Sequence, residues 1–414
     1  MDPLLLSYAL VGVLAVLLAF WSSAIRRTVL TEPLLALCLG VLAGPVLGLI
    51  DVADQLGAEL MREVGRALLA VSLMAVALRF PIADYRAVLR PVLVLLSAGM
   101  VGMALVTAGL SGLLLGVPLA VAVLLGSCLT PTDPVLASSI VSGGPAERQL
   151  PARLRQVISG ESGGNDGLAF PLVVLGLAGV GAQPWGDEVW SAAWGVAGAV
   201  ITGGVLGWLA GHAVRAASRR ETLDQGSLVI FAVLLGVAAL GVARAVDTDG
   251  ILAAFSTGLA YNAAIGDRAR VAEQTLDDSL TRYLVLPLFF LLGVELPWRD
   301  WIDAGWRLPL FAVAVLLLRR LPVVLALKVP LGLGWRDLLF LGWFGPIGVS
   351  ALFYLTFSRD EGARDPLLWT AGSLVVALST LVHGVTAMPG RRWYATGGLA
   401  SDGGHDPARR VSRR

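Results

Sequence analysis

Histidine and cysteine are almost missing from this chain, at three and two residues in 414. Three histidines leave almost no room for a multi-histidine metal centre. Cys38 and Cys128 lie far apart within apolar stretches, so they read as small core residues rather than a disulfide or a metal pair. Charge is scarce as well. Asp, Glu, Lys and Arg make up 15% of the chain, where soluble domains carry about 25%. No basic patch interleaves with aromatic residues and no glycine-rich phosphate loop follows a strand pattern, so nucleic-acid and nucleotide readings have no support. What fills the chain is apolar: 56% hydrophobic residues, a mean hydropathy of +0.78 and 49 glycines. That is the composition of closely packed membrane helices.

A bilayer core takes about 20 apolar residues per helix. This ruler predicts an all-α polytopic membrane protein with about thirteen spans: 4–24, 29–50, 66–80, 89–115, 117–141, 157–181, 189–214, 227–246, 250–265, 283–297, 308–329, 337–358 and 366–389. The first could pass for a signal peptide ending at Ser22-Ser23-Ala24. However, Met1-Asp2-Pro3 lacks a positive start and Arg26-Arg27 follow the span, which predicts a retained helix with its N-terminus outside. Basic residues gather in the loops after odd spans, among them Arg148, Arg153, Arg155, Arg215, Arg219 and Arg220. They recur in the tail at Arg391, Arg392, Arg409, Arg410, Arg413 and Arg414. The excess predicts a cytoplasmic C-terminus in a cell membrane. The tail, 391–414, reads as disordered, with a pull toward anionic lipid.

Two stretches break the pattern. In the fifth span Pro131 and Pro134 flank Asp133, removing backbone donors at membrane depth. In the twelfth, Gly345-Pro346 falls near the middle. Irregular backbone survives in a bilayer only where protein or a polar cavity surrounds it. With 1–186 and 222–390 as repeats joined by a linker helix at 187–221, the breaks fall at the fifth element of each half and the repeats are inverted. Paired breaks of this kind point to a secondary transporter.

Asp133 and Asp166 are then the centre. Freed carbonyls beside Asp133 and the carboxylate of Asp166 offer oxygen to a hard monovalent cation, and Asp166 can take a proton in its place. Glu161 precedes Asp166 by five residues, roughly 140° away around a helix, and needs its own partner. The basic residues at similar depth are Arg319 and Arg320, of which Arg319 is the expected one. Two other classes are conceivable. Gly160-Glu161-Ser162-Gly163-Gly164 fits the nucleophile elbow G-x-S-x-G, and His383 lies at membrane depth, which together would make an intramembrane serine hydrolase of Ser162. A cation channel is the other, although paired broken helices favour alternating access.

Thr130–Ala137 (TPTDPVLA) and Glu161–Gly167 (ESGGNDG) resemble the NhaP/NHE-type monovalent cation:proton antiporters. The likeness continues through Thr31–Pro45, Arg319–Val323 and Phe344–Tyr354. Ile347 stands where many bacterial members carry an arginine, a variant closer to the fungal plasma-membrane Na+/H+ antiporters. The resemblance implies a homodimer of thirteen-helix protomers without enzymatic activity or an organic cofactor, taking Na+, Li+ or K+ and protons as its partners. Spans 4–6 and 11–13 would form a mobile core, sliding against a scaffold of spans 1–3 and 7–10. Asp166 and Asp133 would hold the transported Na+, assisted by Asn165, Thr132 and Ser162, while Glu161 pairs with the arginine. Relatives that move net charge carry Asp-Asp where this chain has Asn165-Asp166, which predicts electroneutral exchange.

Overall fold

The computed structural model describes residues 31–49, 55–181, 185–219, 225–265 and 286–401. The expected first span, 4–24, and the loop arginines Arg268, Arg270 and Arg282 fall outside them. Among the described residues regular backbone is helical and no strand occurs. In chain order the main helices are α1 (Glu32–Val41), α2 (Gln55–Leu78), α3 (Leu89–Leu115), α4 (Leu119–Cys128) and α5 (Pro134–Val141). Then come α6 (Ala152–Gly179), α7 (Trp185–Arg219), α8 (Gln225–Ala245), α9 (Gly250–Ala264) and α10 (Leu286–Glu295). The series ends with α11 (Arg307–Leu318), α12 (Leu321–Ala326), α13 (Trp335–Trp343), α14 (Val349–Asp360) and α15 (Pro366–Ser401).

Helix α6 runs through the middle, packed against α3, α4, α5, α7 and α9. Glycine lowers the helix propensity of such a segment. Here it is the price of proximity: a Cβ on Gly163 would overlap the Phe255 ring, and one on Gly167 would come within 2.6 Å of the Leu252 Cα. The same device joins α7 to α9. Gly203, Gly207 and Gly211, four apart and therefore on one face, abut the carbonyls of Ala253, Thr257 and Tyr261.

The chain breaks twice near α6. Helix α4 stops at Cys128 and α5 starts at Pro134; α13 stops at Trp343 and α14 starts at Val349. The two gaps touch, since the Asp133 N–H donates to the Pro346 carbonyl at 2.8 Å.

Three expectations need correcting. Helix α2 begins well before residue 66, because its first turns are held by polar bonds that an apolar ruler ignores. Glu63 takes Arg66 at 2.7 Å and Arg244 of α8 at 2.6 Å. Cys38 is exposed rather than core, on an apolar face with Leu39 and Leu42, whereas Cys128 is buried. The stretch from Arg391 continues α15 to Ser401 instead of starting a disordered tail. It is held there by Arg336, whose guanidinium lies over the Trp393 and Tyr394 rings at 5.0 and 5.4 Å, and by Arg391 donating to Gln149.

Candidate functional site

Two interrupted helices bring four backbone ends to one place, and each end carries about half a unit charge from unsatisfied N–H or C=O groups. The side chains that meet them divide the work by sign. The Asp133 carboxylate caps its own helix, with Oδ1 accepting from Val135 N at 2.7 Å and Leu136 N at 3.0 Å. Its Oδ2 accepts from Val349 N, the first residue of α14, at 2.7 Å. Both positive ends therefore converge on one carboxylate. Arg319 does the converse, donating to Leu129 O at 2.6 Å, Thr130 O at 2.8 Å and Gly345 O at 2.7 Å. Both negative ends converge on one guanidinium.

This crossing leaves no room at Gly348, where an added Cβ would lie 2.6 Å from both Cβ and Cγ of Asp133. Gly348→Ala is expected to push Asp133 off Val349 N and cost about 1–2 kcal/mol, the worth of a helix cap. The measurement is thermal unfolding in detergent beside Gly109→Ala, whose new methyl meets nothing within 4 Å.

The gap in the first helix is tied to α6 through Thr132. Its N–H donates to Asn165 Oδ1 at 3.2 Å, its hydroxyl accepts from Asn165 Nδ2 at 2.7 Å, and Ser162 Oγ lies 3.1 Å from that hydroxyl. Asn165 Nδ2 also reaches Glu161 Oε1 at 3.1 Å. Glu161 pairs with Arg320, not with the expected Arg319, through Oε1 at 2.7 Å and Oε2 at 2.8 Å. The helix is interrupted between Leu318 and Leu321, since Pro322 offers no N–H to the preceding turn. The two arginines leave it in different directions, and the sequence alone does not fix the helix phase that decides between them. Ile347 is fully buried among apolar neighbours, with its N–H on Ser379 Oγ at 2.8 Å.

Asp166 is the exception. It is 0% exposed, and neither carboxylate oxygen has a hydrogen-bond partner among the described residues. The hydroxyl of Ser350, on α14, faces this carboxylate without meeting hydrogen-bond geometry. The position of Asp166 is held through its backbone instead, whose carbonyl accepts from the Tyr354 hydroxyl at 2.5 Å. Asp133, Asn165, Thr132, Ser162 and Asp166 are thus brought together, with Pro131, Pro134, Gly345 and Pro346 framing the gaps. Sequence reading missed the double capping by Arg319 and the anchoring by Tyr354; the adjacent Arg319-Arg320 was the available signal for the first.

A serine-hydrolase constellation is not assembled. Ser162 lies within a continuous helix rather than at a strand-to-helix elbow. His383 is engaged elsewhere, Nε2 being 3.0 Å from Trp343 O and Nδ1 2.9 Å from Ser379 O.

Known proteins show a consistent likeness. The Na+/H+ antiporter 2 of Zygosaccharomyces rouxii is 35% identical over 255 residues, which is 58% of this chain and 31% of that one. A probable Na+/H+ antiporter of Schizosaccharomyces pombe is 30% identical over 86% of this chain and 49% of its own length. The chain thus spans about half or less of these two relatives. Another Schizosaccharomyces pombe Na+/H+ antiporter is 27% identical over 92% of this chain and 89% of its own. In fold, the sodium proton antiporter MjNhaP1 of Methanocaldococcus jannaschii superposes with a TM-score of 0.74, at 18% identity, over 96% of this chain and 99% of that one. The family described as "Sodium/hydrogen exchanger, transmembrane" matches residues 12–390. With nearly its whole length so matched, the chain belongs to the transmembrane sodium/hydrogen exchanger family.

Proposed function

We propose that the chain exchanges Na+, Li+ or K+ for H+ across a cell membrane by alternating access. The observation that carries this reading is the unbonded Asp166. Around it the other charges at the crossing are already compensated: Asp133 by two helix N-termini, Arg319 by carbonyls, Glu161 by Arg320. A buried carboxylate without a partner is costly as an anion. A dehydrated cation or a proton removes the cost, and one site cannot hold both. Ser350, Asn165 and Thr132 supply neutral oxygens nearby, which suit a hard monovalent ion. No organic cofactor is called for, and no enzymatic step.

Thirteen spans, two inverted repeats with their breaks at the crossing, an outside N-terminus and a cytoplasmic C-terminus fit the apolar stretches and the basic loops. The exposed apolar face of α7, with Trp190, Ile201, Val205 and Trp208, supports a lipid- or partner-facing scaffold and a homodimer. The test is a pH-sensitive dye in acid-loaded proteoliposomes: added Na+ or Li+ should dequench it, and silence with every alkali cation would sink the reading. Fluorophosphonate labelling that vanished in Ser162→Ala would replace it with the hydrolase.

The geometry also bears on stoichiometry. Both Asp133 oxygens are taken by backbone N–H groups, bonds that favour its anion over its acid form, and Asn165 has no titratable proton. Of these three residues Asp166 alone then trades a proton for a cation, so exchange is expected to be one for one and indifferent to a clamped membrane potential. A rate that rose steeply with imposed potential, and lost that dependence in Asp133→Asn, would mean that both carboxylates take part.

A further inference from the structure

Asp249 is a further buried acid whose charge reaches Asp166, after Asp133 and Glu161, and it comes from α9. It is 7% exposed and caps α9, with Oδ1 accepting from Leu252 N at 2.5 Å and its own N–H donating to Gly195 O at 3.2 Å. Leu252 is the residue that Gly167 packs against: a Cβ on Gly167 would stand 2.9 Å from that same Leu252 N. The capping bond of Asp249 therefore ends beside the residue following Asp166. The charge of Asp249 reaches both Asp166 and Tyr354, whose hydroxyl anchors Asp166. Facing Asp249 from α2 is Arg66, which bonds Glu63 at 2.7 Å and lies 5.0 Å from the centre of the Phe353 ring, next to Tyr354 on α14.

A helix cap alone does not call for this residue. Asn, Asp and Ser cap about equally well, and only Asp sets a negative charge near an unpaired buried carboxylate, where low dielectric strengthens repulsion. That repulsion turns into attraction once a cation lies between the two acids. Two buried groups face each other there without a bond of good geometry: the Asp166 carboxylate and the Ser350 hydroxyl. We propose that Asp249 is a further ligand of the transported cation, which it shares with Asp166 across the seam between α9 and the helix crossing, with Arg66 compensating its charge when the cation has left. This rests on the exchange reading and adds a specificity-determining residue to it: an anionic oxygen supplied by α9 rather than by α6.

The experiment uses the full chain with Asp249→Asn, which keeps the cap and removes the charge, beside Asp249→Ala, which removes both. Two readouts are taken: the Na+ dependence of exchange in proteoliposomes, and thermal stabilisation by NaCl over choline chloride in detergent. Losing a charged ligand is worth about tenfold or more in affinity. Asp249→Asn should raise half-saturating Na+ by about that factor, with the cation-free melting temperature unchanged. Asp249→Ala should show the same loss of affinity plus a lower melting temperature. Wild-type Na+ dependence of Asp249→Asn in both assays would overturn the proposal, as would a loss seen only in Asp249→Ala. Failure of the wild type to exchange would sink the antiport reading instead, while the NaCl stabilisation would still decide whether Asp249 holds the ion.

Discussion

Asp166→Asn is expected to abolish cation–proton exchange in proteoliposomes while the purified protein melts close to the wild-type temperature. The two halves of that result have separate causes. Neither carboxylate oxygen holds a hydrogen bond of good geometry among the described residues, so the substitution breaks none; the anchoring bond from Tyr354 goes to the backbone carbonyl and survives. Replacing a buried unpaired acid with a neutral amide also relieves desolvation, so stability has reason to hold or rise. Exchange has no such reserve. An amide neither accepts a proton near neutral pH nor offers an anionic oxygen, and the other charges at the crossing are committed to helix ends or to each other. The measurements are dye dequenching with Na+ and Li+ and a thermal melt on the same preparation. Exchange at near wild-type rate would mean that the site lies elsewhere.

The contrast with Asp133 makes that test sharper. Two acids that look alike in sequence, each at membrane depth without a nearby basic residue, differ in what their oxygens do. Asp133 accepts three backbone N–H groups from two helices. Asn in its place would turn an NH2 group toward one of these donors, so Asp133→Asn should lower stability as well as rate. Reading the chain alone could not separate the two roles, because the Val349 N–H comes from 216 residues away.

Much of the fold was legible for a simple reason: a bilayer demands long apolar helices, and the chain advertises them. The helical class, the membrane family and the clustering of Thr132, Asp133, Glu161, Ser162, Asn165 and Asp166 all follow from apolar length plus TPTDP and ESGGND. What stayed hidden depends on local geometry or on tertiary contact. Glu63 stabilises the start of α2 by reaching Arg244, far along the chain, and hydropathy is blind to that. Trp393 and Tyr394 extend α15 by stacking with Arg336, although the surrounding composition looks like a tail. Asp249 sits in Asp247-Thr248-Asp249-Gly250, which by composition is a turn between two spans; only the fold shows that it is buried and that its charge reaches Asp166.

The Glu161–Arg320 pair carries the other large expected effect. The pair is bidentate and nearly free of solvent, with Glu161 five residues from Asp166 along α6. Arg320 also donates Nε to Leu341 O at 2.9 Å, and Glu161 holds Asn165 at 3.1 Å, so the pair ties α13 to α6 and supports the Thr132 gap. Removing one partner strands a buried charge, at about 3–5 kcal/mol. Arg320→Ala and Glu161→Gln are each expected to lower the melting temperature strongly. Replacing both by apolar residues of similar volume removes the stranded charge, so Glu161→Leu with Arg320→Met should recover most of the loss. Apparent Na+ affinity should change far less than stability, since Glu161 spends both oxygens on Arg320 and Asn165. Melting curves of the two single variants and the double, run beside their Na+ titrations, decide the matter. Single variants that melt like the wild type but bind Na+ much more weakly would place Glu161 among the ion's own ligands, and the pair would have to open during transport.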